Sequence, residues 1–124
     1  MATLIAVKPL AHPALEDITV EGILHALSDT SRVQIFAQIA DSAQSASCTT
    51  FTHVAGKDIP KSTLSQHFKV LREAGLVRSE RIGVEMQNSS RCQEIESRFP
   101  GLIPAIVNAM KTQSGQRPTK RKPR

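Results

Sequence analysis

The chain has 124 residues, room for one domain with a real core rather than two, and carries a net charge of +5 from 16 Lys and Arg against 11 Asp and Glu. No apolar run approaches the roughly 18 residues of a membrane span, and the opening "MATLIAVKPLAHPALED" lacks the basic start and long apolar stretch of a secretion signal. Two cysteines, Cys48 and Cys92, without a CxxC spacing make no disulfide framework, so the expectation is a soluble, cytoplasmic protein with no cofactor.

The charge is unevenly spread. Residues 1–56 sum to −3, 57–91 to +3, 92–110 to −1 and 111–124 to +6. A polyanion would therefore be met by the middle segment and the tail. Four Phe with no Trp or Tyr offer few platforms for unstacked bases, which favours duplex DNA over single strands.

In chain order, residues 1–16 read as an N-terminal extension interrupted by proline. "DITVEGILHALSD" then places Val20, Ile23, Leu24 and Leu27 at helical spacing with Thr19 as N-cap, a first helix of about two turns. "DTSRVQIFAQIAD" predicts a second helix, capped by Asp29 or Thr30, that buries Val33, Ile35, Phe36 and Ile39. "SAQSASCTTFTHVAGKDIP" is rich in Ser, Thr and Gly; its i,i+3 pair Phe51 and Val54 suggests a loop holding one short helix.

In "KSTLSQHFKVLREAGLV", Leu64, Phe68 and Leu71 fall within about 60° of one another on a helical wheel, Ser62 can cap, and Gly75 stands where a helix stops. The expected span is 63–74. Ser62, Gln66, Lys69 and Glu73 face away from the apolar side, with Thr63 and Ser65 at its margins. "LVRSERIGVEMQNSS" suits a β-hairpin with "RIGV" at its tip, a two-stranded wing. Ser90 and Gln93 make a capping-box pattern for "RCQEIESRF", and a last helix from Pro100 would carry Leu102, Ile103, Ile106, Val107 and Met110. Residues 111–124 have no apolar residue worth burying and are expected to form a basic, disordered tail.

This order is mainly α with a two-stranded β wing, the layout of a winged helix-turn-helix, whose second helix lies in a major groove. Short polar side chains at a helix start can approach base edges and phosphates without steric conflict, and the free backbone N–H groups there favour phosphate oxygens. Gln66 can pair bidentately with adenine and Ser65 can serve donor or acceptor edges. Lys69 and Arg72 would reach the backbone, and Arg78 and Arg81 would serve a wing over the minor groove.

The chain resembles the ArsR family of dimeric bacterial winged-helix repressors over roughly residues 17–110. "STLSQHFKVLREAGLV" carries most of the resemblance, and "LSDTSRVQIF" is similar to the family's "LaDptRlrIL", with Thr30 at the usual proline and Asp29 and Arg32 kept. The resemblance implies DNA contacts from Ser62, Ser65, Gln66 and His67, and a homodimer built from the first and last helices; Thr63, at the margin of the same face, is a further expected contact. The expected function is a sequence-specific, double-stranded DNA-binding repressor that is not an enzyme. Metal-sensing relatives use paired cysteines or His and carboxylate ligands. Here only Cys48 lies near the short third helix and residues 92–110 contain no histidine, so no metal is expected.

Three bland readings stand beside these. His67 lies on the shoulder of the apolar face, where local bonding and phosphate contact are both open. Cys48 and Cys92 are candidates for a thiol-redox gate, against two inert buried thiols. The helix-turn-helix face could also serve a protein partner instead of DNA.

Overall fold

The computed structural model describes residues 11–41, 46–47, 53–54 and 57–115. Helix α1 (Val20–Ala26) starts as its sequence predicts: the Thr19 hydroxyl accepts the Gly22 amide at 3.0 Å. Asp29, rather than Thr30, caps α2 (Thr30–Asp41), its carboxylate accepting the Arg32 amide at 3.1 Å. The two helices bury Ile23, Ala26, Leu27, Val33, Ile35, Phe36 and Ile39 in one core.

The region after α2 differs from expectation. In place of a short helix, the described residues form three two-residue strands: β1 (Ala46–Ser47), β2 (His53–Val54) and β3 (Lys57–Asp58), with β2 and β3 paired antiparallel. Phe51, half of the helical hint, lies outside the described residues, as does Cys48.

Helix α3 (Lys61–Glu73) begins two residues before the predicted start, and Ser62 is not its cap. Pro60 precedes the first turn in an extended conformation with no side-chain cap, and its carbonyl accepts the Leu64 amide at 2.9 Å. Leu64, Phe68 and Leu71 are buried as their spacing requires. At the other end, Leu76 donates to the Leu71 carbonyl and Gly75 to that of Arg72, each at 3.0 Å, with Gly75 at φ 87°. This pair of bonds is a Schellman closure, which needs the left-handed conformation glycine adopts freely.

Strands β4 (Val77–Ile82) and β5 (Glu85–Ser90) form the expected hairpin, joined through the two-residue loop Gly83–Val84 with Gly83 at φ 65°. Strand β1 adds to the outer side of β5, giving the order β1-β5-β4. Val77 and Ser79 face inward, and the Ser79 hydroxyl donates to the side-chain oxygen of buried Asn88, directly opposite, at 2.7 Å. The molecule is a winged helix-turn-helix: among the described residues, five α-helices with the hairpin as the wing.

Helix α4 (Cys92–Arg98) does not use the predicted capping box. Ser90 remains in β5, Arg91 occupies the cap position without a side-chain cap, and its amide donates to the Leu76 carbonyl at 2.9 Å. Helix α5 (Leu102–Gln113) starts at Leu102 rather than Pro100, behind Gly101 at φ 81°, whose amide is accepted by the Glu96 carboxylate. Pro104 falls in the first turn, where a missing N–H costs nothing, so the helix continues through Gln113, past the expected boundary at 110. The lead-in is also held. His12 accepts the Ser79 amide at 3.0 Å, Pro13 accepts from Arg91 at 2.9 Å, and Arg98 donates to the carbonyls of Leu15 and Ile18.

Candidate nucleic-acid interface

Apolar anchoring at three positions decides what α3 shows to solvent. With Leu64, Phe68 and Leu71 inside, the side chains of Lys61, Ser62, Thr63, Ser65, Gln66 and Lys69 stand exposed along the first turns of the helix. Most of these are short donors or acceptors, and the two lysines add positive charge beside unsatisfied backbone N–H groups. Arg72 is half-buried near the C-terminal end of the helix.

His67 lies on the other side. It is 9% exposed, among the buried residues of α3, and its Nδ1 is 3.4 Å from a guanidinium nitrogen of Arg32. An arginine can only donate, so a hydrogen bond across this contact requires Nδ1 as the acceptor, which is the Nε2–H tautomer. Burial holds the imidazole below its ordinary pKa; the charge of Asp29 opposes this and that of Arg32 reinforces it.

The two wing arginines do not share a face, because side chains three apart on a strand point oppositely. Arg78 is paired with Glu94 at 3.7 Å, its side chain 43% exposed. Arg81 is exposed near the tip, opposite Met86, beside Ile82 and Val84, the latter 92% exposed. Buried Arg91 grips Glu94 as well, at 2.7 and 3.2 Å, and holds its carboxyl below the usual carboxylate range. Arg91 thus ties the base of the wing to α4 and to the lead-in.

Sequence reasoning missed Arg91, Arg98 and His12 as structural clasps, since nothing in their local spacing marks a partner 67 to 83 positions away. Arg32 was legible only through the family motif. Cys92 is half-buried at the edge of a cleft of about 700 Å³ between α2, α4 and α5, with Phe36, Ala40 and Val107 among its walls. Among the described residues, no cluster of His, Cys, Asp or Glu is placed to hold a metal ion, and no helix is long and apolar enough to cross a membrane.

A family model described as a helix-turn-helix domain matches residues 27–80. The match runs from the end of α1 through α2 and α3 into β4, and so covers the exposed face of α3 and the base of the wing. This is the class of domain through which many regulators bind duplex DNA. No curated protein matches the chain.

Proposed function

We propose that this chain is a homodimeric transcriptional repressor of the ArsR type, one that reads a two-fold, imperfectly palindromic operator in duplex DNA and leaves it on a signal. The observation that carries the reading is the division of α3, with apolar anchors inside and a row of short polar and cationic side chains outside at its N-terminal end. In the groove, Ser65 and Gln66 meet base edges, and Ser62, Thr63, Lys61 and Lys69 meet phosphates; Arg72 and, on the wing, Arg81 and Arg78 add backbone contacts. His67 supports the helix from within.

Two surfaces support a dimer. Leu24 on α1 is 49% exposed, and α5 carries Leu102, Ile106, Val107 and Met110 only partly buried against the core. Such apolar residues on the first and last helices suit a two-fold contact that sets two recognition helices about one DNA turn apart. The test is binding of the purified chain to DNA upstream of its own gene, with and without excess unrelated duplex. Retention that resists the competitor, with two copies bound per site, is expected; equal binding to both duplexes would rule out operator reading.

A further inference from the structure

We propose that Arg32 is a positioning residue that sets the recognition helix for DNA reading through its hydrogen bond to His67, and that protonating the imidazole opens this clasp and weakens DNA binding. The inference rests on the DNA-reading function proposed above and names a control on that same surface.

Arg32 is itself held in place. Its Nε donates to the Ala26 carbonyl at 2.7 Å, one terminal nitrogen lies 3.5 Å from the His25 carbonyl, and its own amide is taken by Asp29. The His25 carbonyl also accepts from the Ser28 amide and hydroxyl, whereas the Ala26 carbonyl takes the Arg32 Nε; both lie at the negative end of the helix dipole, which suits a guanidinium. One cation therefore joins the end of α1, the start of α2 and, through Nδ1 of His67, the middle of α3. His67 is flanked in sequence by Gln66, so a shift of the imidazole moves the residue proposed to read a base. A displacement near 1 Å is enough to spoil a bidentate contact whose geometry is set by hydrogen-bond lengths.

Protonation removes the acceptor. Both ring nitrogens of an imidazolium donate, and its charge then faces the guanidinium. The charged groups acting on the ring are Asp29 and Arg32 of α2, of opposite effect. On α1, His25 is exposed and offers its carbonyl to Arg32, and on α3 Lys69 and Glu73 point to solvent. A histidine that instead touched phosphate would behave in the opposite way, since acquiring a proton would strengthen DNA binding. The sign of the pH response separates the two.

The experiment titrates the full chain against a labelled duplex from its own upstream region, between about pH 5.5 and pH 8 at fixed ionic strength. Affinity should fall on acidification, with a limiting slope of about tenfold per pH unit for each His67 that must be neutral, and so about a hundredfold for the proposed dimer. His67→Asn, whose side-chain oxygen can accept from Arg32 without titrating, should lose the acid limb whatever its affinity at neutral pH. Affinity that rises on acidification, or an acid limb unchanged in His67→Asn, overturns the proposal. Nitrogen NMR of the imidazole gives a DNA-free readout: the Nε2–H tautomer is expected, with a midpoint that moves up in Arg32→Gln, and an Nδ1–H tautomer would also overturn it. Wild-type protein that binds no duplex near neutral pH defeats the DNA reading itself. Binding with an acid limb shared by wild type and His67→Asn defeats the clasp alone.

Discussion

Gln66 stands where a side chain can leave the protein and meet a base, exposed beside buried His67 and a turn and a half from the start of α3. If it pairs with adenine, Gln66→Ala should cost roughly 1–3 kcal/mol at one position of the operator and relax the choice of base there. Binding measured across single-base variants of the site checks this; an equal loss on every variant would show a phosphate contact instead. Gly75 decides a different matter. A Cβ built there would lie 2.4 Å from Cδ1 of buried Ile18, at φ 87°. Gly75→Ala should therefore destabilise the fold by roughly 2–4 kcal/mol in urea unfolding, combining left-handed strain with overpacking. Gly83 also has positive φ, but a Cβ there meets no atom within 4 Å. Gly83→Ala should cost only about 1 kcal/mol. Equal losses at the two glycines would remove contact with Ile18 as the cause.

Elements were legible where periodicity and burial agree. The row Leu64, Phe68, Leu71 fixes the inner side of α3, and the turn residue Gly83 marks the centre of the wing; both hold in the structure. Local cap chemistry was a weaker guide. Ser62 and Ser90 each fit a capping pattern, yet a rigid Pro60 starts α3 earlier and the β5 ladder keeps Ser90 in the sheet. Where tertiary pairing competes with a cap worth about 1 kcal/mol, the pairing wins. Before α3, Val54 lies in β2 rather than in a helical turn, since a pair of apolar residues cannot distinguish a single helical turn from short strands. Buried polar links across the sheet had no sequence signature at all. Asn88 is fully buried and accepts from Ser79 inside the wing. Asn88→Ala should leave that hydroxyl without its acceptor, destabilising the wing by roughly 1–3 kcal/mol. Amide hydrogen exchange that speeds up in β4 and β5 but not in α1 and α2 would place the loss there, whereas a uniform increase would mean that the wing does not open separately.

Across the whole molecule, charge sorts by position. The helices before residue 57 are net acidic, the segment holding α3 and the wing is net basic, and residues 116–124 add Arg117, Lys120, Arg121, Lys122 and Arg124 with no acid. If only α3 and the wing bind, specificity and affinity come from one surface. If the C-terminal residues also lie along the phosphates, they add affinity that ignores sequence. The two cases separate by salt, because each neutralised phosphate contributes about 0.9 to the slope of log affinity against log salt. Removing residues 116–124 leaves α5 intact to Gln113 and its apolar residues in place. The shortened chain should bind operator and unrelated duplex more weakly by the same factor, keep their ratio, and show a slope shallower by about 0.9 for each phosphate no longer neutralised. A slope that does not change would mean that these cations stay in solvent, while a weakening confined to the operator would mean that they take part in reading it.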